Sequence, residues 1–240
     1  MKTKFLLLWF EAPLQSWGAD SKFGRRETLP FPTKSGVAGL LLSALGASGE
    51  QRELLEFLAP LKQTIISCVR KSFKEKQEEK TEREPLLRDF HMVGGGYDEN
   101  KKWQAMNIPK KKDGGKAVGG GTKLTYRYYL QDAKFAVVVE IPDDLADNFS
   151  LAMQNPVYDI YLGRKNCVPT DFVYRGIFDD EKAALDFAKK IILEKGNLIE
   201  DFLVIDGENE DGDTSVLTDV PVQFGEFKKY KDRKITVLRL

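Results

Sequence analysis

Histidine and cysteine are nearly missing from this chain: 240 residues hold one histidine, His91, and two cysteines, Cys68 and Cys167. No CxxC pair and no second histidine stands nearby to complete a zinc site, so neither a structural metal nor a disulfide framework is expected. A single histidine among scattered acids supports no Ser/His/Asp set and no paired-carboxylate site. Long apolar runs are lacking as well. The longest, Phe5 to Phe10 and Val37 to Leu42, fall far below the roughly 18 residues that a membrane span needs, and the start lacks a signal-peptide layout. The expectation is a soluble, cytoplasmic protein without cofactor or membrane partner, and a hydrophobic content of 42% suffices for a packed core.

Net charge is absent too, with 37 Lys and Arg against 37 Asp and Glu, so total charge gives no nucleic-acid signal. Its distribution does. From Asn100 to Gln131 there are eight basic residues (Lys101, Lys102, Lys110, Lys111, Lys112, Lys116, Lys123 and Arg127) and one acid, Asp113. From Asp179 to Val220 there are thirteen acids and four lysines. Such separation attracts a polyanion to one face; the alternative is two oppositely charged loops that attract each other.

Periodicity sets the element order. Lys4 to Phe10 reads as a buried strand, followed by a polar loop from Gln15 to Pro32. Thr33 caps a helix from Lys34 to Ala47, a second short helix covers Gln51 to Leu58, and Thr64 to Phe73 is a strand. The stretch from Lys74 to Gly121 is charged, rich in glycine and too poor in aliphatic residues to bury much; its strand-like flanks suggest a protruding hairpin. Leu124 to Leu130 and Lys134 to Ile141 are strands joined by a tight turn, and Pro142 opens a helix to Gln154. This is close to a ferredoxin-like or RRM order within an α+β fold, a class that often binds RNA. Residues 1–155 are expected to form that domain and 156–240 a smaller β-rich subdomain.

Four segments carry the chemistry. "FPTKSG" from Phe31 places Thr33, Lys34, Ser35 and the Gly36 amide at a helix start, where free donors and the dipole favour a phosphate; an ordinary capped helix is the alternative. The G-x-x-x-x-G-K-[ST] spacing is not met before Lys34 and Ser35, so this is not a P-loop. "TYRYYL" from Thr125 alternates Tyr126 and Tyr128 with Arg127 beside Lys123, suiting stacked bases and phosphates, or simply covering a sheet. In "APLQSWG", Trp17 beside Gln15 and Ser16 either stacks a base or plugs the core; Arg25 and Arg26 follow as phosphate contacts. "YLGRKNCVPT" sets Arg164 and Lys165 after a glycine that permits close backbone approach.

Together with "RDFHMV" from Arg88, these segments in this order resemble the CasD-type Cascade subunits of type I-E CRISPR systems, the fifth Cas family, as far as about Phe172. The resemblance implies a non-catalytic protein that holds the crRNA 5′ handle, with residues 74–121 as a thumb. It implies as partners a CasC-type backbone subunit, a CasA-type large subunit and, indirectly, target DNA. His91 is then a structural or RNA-contacting residue. The enzyme alternative is a metal-independent, repeat-cleaving endoribonuclease using His91 with Lys123 or a tyrosine; a third reading is a general single-strand RNA-binding module.

Overall fold

The structure, a computed structural model, describes residues 2–18, 24–74, 77–93, 100–101, 110–115 and 123–240. Its first strand, β1 (Thr3–Glu11), carries an unbroken apolar run from Phe5 to Phe10 because its centre is covered on both faces. Leu6 to Phe10 are completely buried. Alternate side chains go to opposite cores: Leu6, Leu8 and Phe10 to one, Leu7 and Trp9 to the other.

Short strands β2 (Leu14–Gln15), β3 (Trp17–Gly18), β4 (Arg25–Arg26) and β5 (Thr28–Leu29) follow, then helices α1 (Lys34–Ala44) and α2 (Arg52–Leu58). The chain continues through β6 (Gln63–Lys74), β7 (Gln77–Lys80), β8 (Leu87–Val93), β9 (Lys123–Gln131) and β10 (Lys134–Pro142). A 3-10 turn (Asp143–Leu145) leads into α3 (Ala146–Gln154); then come β11 (Tyr174–Phe178), α4 (Glu181–Glu194), β12 (Leu198–Asp206), β13 (Asp213–Gln223) and β14 (Lys229–Arg239). Among the described residues no helix is long and apolar enough to cross a membrane.

The main sheet runs β11-β1-β10-β6-β12-β14-β13, with β7 paired to β6. Its first four strands are all antiparallel neighbours, and in chain order they stand fourth, first, third, second. With α1 after β1 and α3 after β10, the element order is β-α-β-β-α-β. Helices α1 and α3 cover one face through Val37, Leu40, Leu41, Phe149 and Met153. Helix α4 covers the other through Ala184, Ala188, Ile191 and Ile192. Each of the larger of these side chains, Val, Leu, Ile, Phe or Met, contributes on the order of 1.5–3 kcal/mol when taken from water. Both cysteines are buried inside this framework, and burial pushes the Cys68 thiol up to about 12.

Two features of the strand pairing matter for the site. No break in the sheet marks residue 155, because β12 pairs directly with the free edge of β6, from Leu198↔Arg70 to Val204↔Ile65. Beyond β6 the sheet continues through β12, β14 and β13. The adjacent strands β9 and β10 also do not pair. Asp132 adopts φ 47 and swings the chain out of the main sheet, so β9 joins β8 from Leu87↔Tyr129 to Val93↔Lys123. Tyr126, Arg127 and Tyr128 therefore stand on a hairpin arm rather than on the central sheet. Of the lysines expected on the thumb, Lys102 and Lys116 lie outside the described residues.

Candidate nucleic-acid interface

Helix α1 buries most of its circumference. Val37, Leu40, Leu41 and Ala44 enter the main core, and Ala38 and Leu42 pack on Leu55 of α2. The remaining strip is Ser35, Gly36, Gly39 and Ser43, small residues at helical spacing that line a cleft of about 550 Å³. That volume lies within the roughly 300–1,000 Å³ typical of ligand sites. The other walls are Ser16 to Gly18 after β1, Arg26 and Glu27 around β4, Asp159, Tyr161, Gly163 and Arg164 before β11, and Phe224, Lys228 and Tyr230 around the β13–β14 turn. Four segments distant in sequence thus meet at the start of one helix.

Local geometry explains how they meet. Gly163 has φ +104, and a Cβ there would lie 1.8 Å from the Ser16 carbonyl oxygen; only glycine permits this approach. The Ser16 amide donates to the Leu162 carbonyl at 3.1 Å. Arg164 clamps the assembly, donating to the carbonyls of Tyr128 (3.1 Å) and Arg26 (2.9 Å) while lying 4.6 Å above the Tyr129 ring. Two of its five guanidinium donors are thus taken by backbone carbonyls, and the side chain also lines the cleft. Lys165 is exposed next to it.

Trp17 resolves the choice between platform and plug. It is 1% exposed and stacks on Phe10 at 5.2 Å and 20°. Its indole donates to Gln15 Oε1 at 3.1 Å, and Gln15 in turn donates to the Ala133 carbonyl at 2.6 Å. Both residues are therefore buried supports of the cleft rather than contacts within it. Ser16, also buried, donates to the Tyr128 carbonyl at 3.3 Å.

The helix start has two sides. Thr33 Oγ1 accepts the Gly36 amide at 3.1 Å, as a cap should. The Lys34 amide, however, donates at 2.7 Å to Asp219 Oδ2, so an internal carboxylate already occupies the place where a phosphate was expected. Arg233 holds that carboxylate through two bonds of 2.7 and 2.8 Å and also binds Asp206. The Lys34 ammonium lies 3.3 Å from Asp206 and is 8% exposed. Burial pulls its pKa below the ordinary value, against the attraction of Asp206. The mobile cation foreseen at Lys34 is thus a member of a closed network. Ser35 and Gly36 face the open side.

Cations reach the cleft from elsewhere. Arg26 and Lys228 line it, and neither has an acidic partner among the described residues. Lys112 of the long insertion sits 4.8 Å above the Phe227 ring, one residue from Lys228. Lys110 and Lys111 are exposed beside it, and Lys101 is exposed as well. Arg25 is exposed, pairs with Glu27 at 2.8 Å and covers the Tyr128 ring at 5.5 Å. On the arm, Phe90 and Tyr126 contact each other at 5.5 Å, with Arg88 5.6 Å above Tyr126, and both rings are exposed. His91, half exposed on β8, has its Nδ1 3.4 Å from Asp89 Oδ2. Arg127 is half-buried on β9, and Lys123 opens that strand.

Sequence reasoning missed Asp159, Phe224, Lys228 and Tyr230. The run from Phe227 to Lys234 interleaves aromatic and basic residues directly after the acidic stretch, a signal that could have drawn attention to the last strand pair.

Fold and cleft together define an α+β protein with a hairpin arm and a cationic, aromatic-edged groove of nucleotide size. The chain belongs to the family described as CRISPR-associated protein (Cas_Cas5), whose model matches residues 5–237. It is similar to the CRISPR system Cascade subunit CasD of Escherichia coli (strain K12), at 28% identity over 189 residues, 76% of each chain. Among solved structures, a chain of a CRISPR RNA-guided surveillance complex matches with TM-score 0.68 and 26% identity, covering 98% of this chain and 89% of that one. A structure titled as a Cas protein shares the fold, with TM-score 0.58 and 24% identity over 98% of this chain and 94% of the other.

Proposed function

We propose that this protein is a Cascade subunit that binds the 5′ handle of a crRNA in the α1 cleft, caps that end of the guide and does not cut it. The observation that carries the reading is the convergence of Ser35, Gly36, Arg26, Lys228, Phe224 and Tyr230 on one groove. Unpaired cations draw a polyanion, and aromatic edges hold splayed bases. The small residues of α1 leave the backbone of a single strand room to approach. The hairpin arm, with exposed Phe90 and Tyr126 under Arg88, extends this surface toward the first spacer nucleotides and the CasC-type backbone subunit. A CasA-type large subunit and target DNA are the further partners, in the cytoplasm.

The endoribonuclease reading has less to stand on, since His91 lies on the arm and is not among the residues lining the cleft. A purified chain should bind labelled handle RNA at least about tenfold more tightly than unrelated RNA of equal length, leave it intact, and co-purify from cells with one short RNA and other Cascade subunits. Equal affinity for unrelated RNA would favour a general single-strand binder. Cleavage that disappears in His91→Ala would establish the nuclease instead.

A further inference from the structure

The cleft contains a group that a pure phosphate site would not tolerate. Of its two carboxylates, Glu27 is neutralised by Arg25 at 2.8 Å. Asp159 has no cationic partner among the described residues; the contact it makes is with the Tyr161 hydroxyl, which donates to Oδ2 at 3.3 Å. Beside a polyanion an open carboxylate weakens binding unless hydrogen-bond donors are turned toward it. A carboxylate has about four lone-pair sites, so Asp159 keeps most of its acceptor capacity after Tyr161 has donated.

Single-stranded RNA carries donors on its base edges and its 2′-hydroxyls. Guanine alone presents two parallel N–H donors, N1–H and the N2 amino group, on one edge, a fork that matches a carboxylate as a guanidinium does. Adenine and cytosine offer one amino group on the equivalent edge, and uracil one imide. The aromatic rings of Tyr161, Phe224 and Tyr230 line the same cleft and supply surfaces on which a splayed base rests. We propose that Asp159 is a specificity-determining residue, which accepts the Watson–Crick edge of one guanine of the bound guide while Arg26 and Lys228 hold the neighbouring phosphates. Tyr161 fixes the carboxylate's orientation through its hydrogen bond. This assignment rests on the guide-binding reading and deepens it from RNA in general to a particular base edge.

The test uses the full chain and oligoadenylate probes that carry one guanosine, scanned along the strand. At one position guanosine should tighten binding, and inosine in its place, which lacks the N2 amino group, should weaken it roughly ten- to a hundredfold, as expected when a hydrogen bond to a charged group is removed. In Asp159→Ala, guanosine and inosine should bind equally, with the chain still folded because Asp159 is exposed. Binding indifferent to guanosine at every position overturns the assignment and leaves the guide-binding reading intact. So does an Asp159→Ala chain that binds all probes more tightly while keeping its guanosine preference, or a weakening seen with 2′-deoxyguanosine but not with inosine. Failure to bind any probe overturns the guide-binding reading and the assignment with it.

Discussion

The two sides of the α1 start share one helix end and differ in every other respect. On one side the Lys34 amide, Lys34 ammonium, Asp206, Asp219 and Arg233 form a closed set of charges, nearly all buried. On the other, Ser35, Gly36 and Gly39 face an open groove edged by Arg26 and Lys228, which have no acidic partner among the described residues. The dipole and free donors at a helix start attract an anion in either case. The fold decides which anion arrives: where the C-terminal strands reach the helix, the chain supplies its own carboxylate to the Lys34 amide, and on the other side Ser35 and Gly36 face the cleft.

That contrast can be broken most severely at Arg233. Arg233→Ala leaves Asp206 and Asp219 facing each other without their shared cation in a buried site, and should destabilise the fold by about 3–5 kcal/mol in denaturant titration. On the open side, stability and binding should separate. A Cβ at Gly39 meets only the Phe224 ring at 4.0 Å, ordinary contact. Gly39→Ala should therefore gain about 0.5–1 kcal/mol from helix propensity, whereas Gly39→Gln obstructs the groove and should cost RNA affinity about tenfold or more by fluorescence anisotropy without unfolding the chain.

A finer distinction comes from salt. In the double variant Arg26→Ala with Lys228→Ala, the slope of log K against log salt should fall by roughly 0.7 for each phosphate that is no longer neutralised. Lys34→Met should leave the slope unchanged, since its ammonium is already engaged by Asp206, and should lower stability by less than Arg233→Ala does in denaturant titration, because Asp206 loses one buried partner and keeps Arg233. Should Lys34→Met alone flatten the slope, the closed side is open to RNA after all.

The smallest effect concerns pH and lies outside both sides, at the turn that sends β9 away from β10. Burial pulls the Asp132 carboxyl upward, but hydrogen bonds from Lys134 and Arg70 outweigh it and hold the pKa below its ordinary value of 3.8. A carboxyl depressed in the folded state stabilises above its unfolded pKa and loses that contribution as pH falls through the folded one. The melting temperature of Asp132→Asn should lie slightly below that of the parent near neutrality, and the gap should close below about pH 4.

How far the sequence could be read depended on how far apart the interacting residues stand. The buried run of β1 and the Thr33 cap follow from neighbouring residues and were legible. The polar insertion between strand-like flanks suggests a hairpin, and β8 within it pairs with β9 beyond it. Lys34 was not legible, because its fate is set by Asp206 and Asp219, 172 and 185 residues away. Trp17 reads equally as a base platform or a core plug until Phe10 stacks on it and Gly36 leaves room for its ring. The pairing of β12 with β6 joins edges across more than a hundred residues of chain; periodicity reports a strand's faces but not its neighbours. Lys228 and Tyr230 entered the site only through that pairing.

Because β6 is flanked by β10 on one side and β12 on the other, the chain cannot be shortened at residue 155 without baring ladder donors and acceptors along the middle of its sheet. Such a fragment offers any similar edge a template for unwanted self-association.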